Sequence, residues 1–304
     1  MQADEYRRMF ELENRYWWFV ARRRLALGLL RKALSDQGKE GNEGNRRESK
    51  GIEGTDDVRR TMDDGRRTKN ENNPSFSVHK SHGSRSSHET ETANRQPATA
   101  YPVVLDLGCG TGAVLKELAE FSRPVGIDMS PLALSFSKAR SLNALIVGRG
   151  ECLPLLSGSV DAVLSLDVFE HIEDDERAFR ESARVLRPGG ILVLSVPTFR
   201  FLWGPHDVAL MHFRRYRRRE IVALLKRAGL EPVRVSYSIF LLFPLVALIR
   251  FFERRRQGQA EASLPQVPGW MNRALIGLQG FEALLMRLFS LPWGSSLVAV
   301  ARKD

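Results

Sequence analysis

Three glycines, Gly108, Gly110 and Gly112, stand where the apolar run Val103-Val-Leu-Asp-Leu107 gives way to a helical pattern, and that run carries one carboxylate, Asp106. Glycine at a strand-to-helix turn lets the backbone approach a ligand closely, while the helix that follows presents unpaired N–H groups. Such a turn cradles a bound cofactor. By pattern alone, Gly108-x-Gly110-x-x-Ala113 followed about 20 residues on by Asp128 satisfies the dinucleotide fingerprint, in which the acid holds ribose hydroxyls.

Asp106 separates two cofactor chemistries. A pyrophosphate brought near it sets like charges against each other, at about 4 kcal/mol per pair for an effective dielectric of about 20. S-adenosylmethionine has no phosphate and carries a sulfonium and an ammonium, so the same carboxylate attracts it. Charge favours that cofactor. No Gly-Lys-Ser/Thr follows the turn, which argues against a P-loop.

These residues need a scaffold. From Tyr101 short β-branched runs alternate with helical stretches, the pattern of βαβ units. Strands are expected at 103–106, 124–128, 144–147, 160–165, 191–196, 231–237 and 296–301, and helices at 112–121, 131–141, 174–186 and 219–228, with Ser130 and Pro131 opening the second. Residues 187–190, Arg-Pro-Gly-Gly, read as a turn. The expected fold is α/β: a Rossmann-like, doubly wound, seven-stranded sheet, its last strand antiparallel, with an N-terminal helical cap and a helical insertion before that strand. The expected divisions are a cap at 1–35, a disordered low-complexity insertion at 36–98, a cofactor-binding core at 99–237, a hydrophobic and basic helical insertion at 238–294, and the final strand at 295–304. The 36–98 segment is too poor in apolar residues to offset its ordering entropy, and His79, His82 and His88 within it read as solvated side chains rather than ligands.

The chain of 304 residues has a formal charge of +10. Residues 1–34 carry +4, 35–98 carry 0, 99–198 carry −4 and 199–304 carry +10, so the basicity belongs to the two ends. The acidic core suits a cationic cofactor, and nucleic acid is not an expected partner. Two cysteines, Cys109 and Cys152, make no disulfide framework, and an N-terminus that carries Asp4, Glu5, Glu11 and Glu13 and has no long early apolar core does not read as a secretory signal, so a cytoplasmic setting is expected. The apolar run 238–249 contains Pro244 and is too short to span a bilayer.

Five segments in order carry a family resemblance: Asp106-x-Gly-x-Gly-x-Gly112, Gly126-Ile-Asp-Met-Ser130, Gly150-Glu-Cys-Leu-Pro154, Val160-Asp-Ala-Val-Leu-Ser-Leu-Asp-Val-Phe-Glu-His171 and Arg184-Val-Leu-Arg-Pro-Gly-Gly190. Residues 101 to about 237 resemble a class I S-adenosylmethionine-dependent methyltransferase of the type 11 group. The resemblance implies that Asp106, Gly108, Cys109, Gly110 and Gly112 surround the methionine end of the cofactor. It further implies that Asp128 holds the ribose, Met129 packs on the adenine, Glu151 and Cys152 read the adenine edge, and Asp167 faces the methionine part. No metal is implied. Taken singly, Asp128 could cap a helix and Asp106 could satisfy turn amides.

Methyl transfer to an activated sulfonium asks the protein to align a nucleophile, exclude water and, where needed, remove a proton. His171 is either a general base or a packing residue at the pocket mouth. The stretch around Tyr16-Trp17-Trp18-Phe19 and the run His212-Phe-Arg-Arg-Tyr216 resemble an uncharacterised bacterial subgroup, in which the first covers the cofactor and the second lies near the acceptor. On that basis His206, His212 and Tyr216, with Trp17, Trp18 and Arg215, are expected at the acceptor pocket; the alternative is that the aromatics are core and the arginines solvated. The implied acceptor is a small molecule or lipid. Apolar segments of 238–294 bordered by Arg and Trp fit either a lid or an interfacial element on the anionic inner face of a membrane. Two other functions share these motifs: an NAD-dependent oxidoreductase and a non-catalytic, membrane-associated cofactor-binding partner. The oligomeric state is not legible in the sequence.

Overall fold

The computed structural model describes residues 3–52, 101–253 and 265–304. Contacts divide the chain into two units, residues 1–39 with 101–304, and residues 40–100. In the first unit the strands are β1 (Val103–Leu107), β2 (Arg123–Asp128), β3 (Leu145–Val147), β4 (Val160–Leu166), β5 (Leu186–Pro197), β6 (Leu230–Ser238) and β7 (Ser296–Lys303). They form one sheet of order β3-β2-β1-β4-β5-β7-β6, parallel except where β7 runs antiparallel between β5 and β6. This is the expected doubly wound, seven-stranded architecture, whose order reverses at β1 and β4, so that a crevice opens at the carboxyl ends of those strands.

Strands buried on both faces read as continuous apolar runs, and the alternation within them shows which helices they meet. Leu105, Leu107, Val163, Leu192 and Leu194 face one layer, packing with Phe179 and Val185 of α5 (Asp175–Val185) and with Ile221 and Leu225 of α7 (Arg218–Arg227). Val104, Ala162, Leu164 and Val193 face the other layer, against Leu115 and Leu118 of α3 (Ala113–Leu118) and Leu134 of α4 (Pro131–Ala139). Ala26, Leu27 and Leu30 of α2 (Trp17–Ile52) join that second layer. The N-terminal helix is therefore a structural part of the sheet's cover. Helix α4 starts as the sequence indicates: Pro131 takes the first position and the Ser130 hydroxyl accepts from the Ala133 amide at 3.2 Å.

Two boundaries differ from expectation. Helix α2 continues to Ile52, into the stretch read as disordered. Extending a helix already docked through Leu27 and Leu30 needs no new nucleus, so polar sequence is no bar to propagation. Residues 53–100, with His79, His82 and His88, lie outside the described residues. The second correction is at 187–190: β5 begins at Leu186, and the expected turn is absorbed as a bulge. Val160 pairs with Leu186 and Ala162 with Ile191, while Gly189 takes φ 75°. The extra residues are accommodated without ending the strand.

Before β1, α1 (Ala3–Leu12) precedes α2. Short helix α6 (Pro205–Ala209) lies between β5 and α7, and α8 (Phe243–Glu253) and α9 (Gly269–Leu288) lie between β6 and β7. No helix among the described residues is long and apolar enough to cross a membrane. The entry to β7 is tight, since a Cβ at Gly294 would lie 2.2 Å from the Ser238 carbonyl oxygen. Gly294→Ala should therefore cost about 1–3 kcal/mol, because backbone cannot step aside as a side chain can. Chemical denaturation would show this as a lower midpoint at unchanged slope, and an unshifted midpoint would refute the close approach.

Candidate cofactor and acceptor site

Gly108, Gly110 and Gly112 all adopt positive φ, at 72°, 54° and 83°, a region in which a side chain is strained. The turn is pinned by Gly108 and Cys109 amides donating to the Ile127 carbonyl at 2.8 and 3.0 Å, which ties the end of β1 to β2. Asp128 ends β2 with one carboxylate oxygen accepting from the Gly110 amide at 2.9 Å and the other from the Ser130 amide at 2.8 Å. Each oxygen keeps a second lone pair, so satisfying the turn and receiving hydroxyls are compatible.

Asp106 lies beneath this turn, 2% exposed, and its Oδ2 has no hydrogen-bond partner. Burial first, then the neighbouring Asp128, pushes its carboxyl well above the ordinary range, against the opposing pull of Arg22. An orphaned buried carboxylate beside a second acid is a receptor for a cation. Burial, with two amides opposing, also raises Asp128. The residues present thus fit the ammonium and ribose of S-adenosylmethionine, whereas a pyrophosphate would meet two carboxylates.

Helix α1 closes over the turn. Met9 stands 3.0 Å from where a Cβ of Gly110 would be, Glu13 accepts from Thr111 Oγ1 at 2.6 Å, and Arg140 pairs with Glu13. These contacts account for the burial of Glu13 and Thr111. Met129 is 66% exposed beside the turn, Glu151 pairs with Arg149 at 3.2 Å, and Cys152 is exposed. Cys109 is buried, and burial followed by the charges of Asp106 and Asp128 drives its thiol far up. Under native conditions a thiol reagent should label Cys152 and leave Cys109 unmodified until the protein is unfolded; labelling of both at similar rates would contradict that burial.

Asp167, at the end of β4, holds φ 55°, receives the Ser195 hydroxyl at 2.8 Å and pairs with Arg22 of α2. Next to this pair is a cleft lined by Trp17, Trp18, Arg22, Gln279, Glu282 and the sheet-end residue Ser195. Trp17 and Trp18, two of the residues expected at the acceptor pocket, line this cleft. The amide of Trp17 donates to Asn272 Oδ1 at 2.8 Å, so α2 and α9 are linked across the cleft.

The other expected acceptor residues are not among those lining this cleft. Tyr216 is 2% exposed, its hydroxyl donates to Asp175 at 2.7 Å, and burial followed by Asp175 raises it well above the usual phenol range. Arg215 makes a two-pronged pair with Asp207, at 2.8 and 3.0 Å, and Asp207 also accepts from the Gly204 amide at 2.9 Å. His212 Nδ1 lies 2.9 Å from the same carboxylate. The run His212 to Tyr216 is thus mostly structural, because its polar atoms find buried partners in the protein. His206, in α6, and His171 are both lowered to about 4, by burial first and then by Arg250 or His212 respectively. Both are neutral near pH 7.

Sequence reading missed Arg22, Gln279, Glu282 and Glu170. Arg22 lies within the Arg22-Arg-Arg24 run, with nothing to single it out, and Glu170 stands in the Val160–His171 segment with no local signal of its burial. Glu170 is wholly buried and neither carboxylate oxygen meets a partner.

Residues 105–194 match the family model described as a methyltransferase domain. Over residues 105–194 this match, together with the sheet order and the glycine turn, is that of a class I S-adenosylmethionine-dependent methyltransferase domain. The chain is 36% identical over 133 residues to a "Probable S-adenosylmethionine-dependent methyltransferase" of Mycolicibacterium smegmatis, covering 42% of this chain and 51% of that one. It is 34% identical over 135 residues to a protein of the same description in Mycobacterium tuberculosis, covering 43% and 49%. The chain spans about half the length of these curated relatives. A solved S-adenosylmethionine-dependent methyltransferase of Mesorhizobium loti is similar with TM-score 0.46 and 18% identity, over 68% of this chain and 93% of the other.

Proposed function

We propose that the protein transfers a methyl group from S-adenosylmethionine to a small-molecule acceptor seated in the cleft between α2 and α9. The observation that carries this reading is Asp106, a buried carboxylate with an orphaned oxygen beneath three left-handed glycines. When bound, the cofactor supplies a methyl carbon already activated on a sulfonium. Asp106 neutralises its ammonium, Asp128 receives the ribose, and Met129, Glu151 and Cys152 lie towards the adenine. Helix α1 and the Trp17-Trp18 pair shut water out, and Asp167 with Arg22 forms the polar wall between cofactor and acceptor. Incubation with methyl-labelled cofactor and separate small-metabolite, lipid and nucleic-acid fractions tests it. Label in the small-metabolite fraction is expected; binding of NADH without binding of S-adenosylhomocysteine would replace this reading with an oxidoreductase.

A second, finer reading is that the acceptor is lipid-linked and met at an anionic membrane surface. It is favoured by the apolar side chains that α8 and α9 leave exposed, among them Leu245, Leu248, Phe252, Trp270, Leu284 and Leu288. Arg254-Arg-Arg256, outside the described residues, follow α8 in sequence. Apolar side chains with adjacent guanidinium groups suit acyl chains and acidic headgroups. Flotation with anionic vesicles at low salt, lost at high salt, is the expected result; no flotation under either condition removes this reading and leaves the first intact.

A further inference from the structure

Glu170 and His171 lie in the 3-10 turn Phe169–His171 that follows β4, and His212 lies in the loop before α7. The two segments are tied together by the Phe213 amide, which donates to the Glu170 carbonyl at 2.8 Å. One ligand atom from each of Glu170, His171 and His212 lies within 4.8 Å of the others. His212 has one nitrogen occupied by an orienting partner, Nδ1 at Asp207, and the His171 ring stands edge-on to the His212 ring with centroids 4.6 Å apart. A carboxylate on one ring nitrogen is the outer-shell arrangement that sets tautomer and ring direction in metal-ligating histidines, and it leaves Nε2 of His212 available. Asp207 is in turn held by Arg215.

Glu170 supplies the independent observation. Its carboxyl is fully buried, both oxygens lack partners, and it belongs to the same cluster. The guanidinium groups whose charges reach it, Arg22 and Arg215, are paired with Asp167 and Asp207. A buried carboxyl with nothing to bond is costly unless something absent from the protein itself completes it.

We propose that Glu170, His171 and His212 form a binding site for a divalent transition-metal ion of the Zn²⁺ or Mn²⁺ class. Two imidazoles and one carboxylate are a donor set of intermediate softness that leaves coordination positions open. Tetrahedral bonds of 2.0–2.2 Å hold ligand atoms about 3.3–3.5 Å apart, so closure from the present spacing needs side-chain adjustments of about 1 Å. Metal binding stands apart from methyl transfer.

The test uses the full chain, stripped with chelator, in which His79→Asn, His82→Asn and His88→Asn remove the other histidine group. Titration with Co²⁺, followed by its visible absorption, should show one saturable equivalent, with Zn²⁺ displacing it and raising Tm. The near-isosteric Glu170→Gln and, separately, His171→Asn should weaken Co²⁺ binding at least about tenfold while circular dichroism stays native. No saturable absorption in the parent, or equal affinity in the folded Glu170→Gln protein, would overturn the proposal. S-adenosylhomocysteine binding, measured on the same samples, reports on the methyltransferase reading independently.

Discussion

Asp106→Asn is expected to lower affinity for S-adenosylhomocysteine by about 10- to 100-fold while making the cofactor-free protein more stable. The two effects share one cause. The carboxylate sits 2% exposed with Oδ2 unpartnered, so the free protein bears a desolvation cost that a bound ammonium relieves. A hydrogen bond to a charged group contributes about 1.5–3 kcal/mol, and each 1.4 kcal/mol is tenfold in affinity, which sets the range. The sign of the pH dependence follows from the raised carboxyl of the folded state. With a folded pKa above the unfolded one, the wild type is relatively most stable below the ordinary carboxylate range and loses stability as pH rises towards the folded pKa. The stabilising effect of Asn should therefore be present at neutral pH and fade near pH 4. Denaturation at the two pH values, with calorimetry of S-adenosylhomocysteine, measures both effects. A variant that binds normally would remove Asp106 from the cofactor site.

Asp207→Leu is expected to cost about 3–5 kcal/mol of stability, the range for stripping one partner from a buried ion pair. Asp207 has no exposed side-chain surface, and Arg215 and His212 are 6% and 7% exposed. Removing the carboxylate leaves a guanidinium buried without its partner and the Gly204 amide unsatisfied. Burial raises Asp207, but hydrogen bonds from His212 and Arg215 outweigh it and hold the carboxyl well below the usual range, so the charged form is the one the fold relies on. Adding Arg215→Met should recover much of the loss, since an apolar pair of similar volume carries no unpaired charge. Equal destabilisation in single and double variants would show that the site depends on shape rather than charge.

Local pattern located the sheet well. Six of the seven strands lie within two residues of their expected positions, because the central strands, buried on both faces, have an unmistakable composition; β5 begins five residues early, and Ser130-Pro131 marked a helix start through a cap that acts over three residues. The glycine turn, Asp106 and Asp128 were legible for a similar reason: one strand, its turn and the next strand end hold the whole arrangement.

The acceptor side was much less legible. Tyr216, Arg215 and His212 are chemically suggestive in sequence, yet Asp175 and Asp207 claim them, and those pairings depend on how the segments before α5 and α7 approach each other. Arg22 acquires meaning only because α2 crosses the carboxyl end of β4 to reach Asp167. Gln279 and Glu282 enter the cleft from α9, more than 250 residues from Trp17. Sequence alone determined the βαβ order, the cofactor turn and the separation of an acidic core from basic ends, since each depends on periodicity, turn chemistry or charge within a short window. Which side chains line the cleft, which are consumed by internal partners, and that Glu170, His171 and His212 share one pocket of space were decided by tertiary structure, because burial and pairing are properties of neighbours distant along the chain.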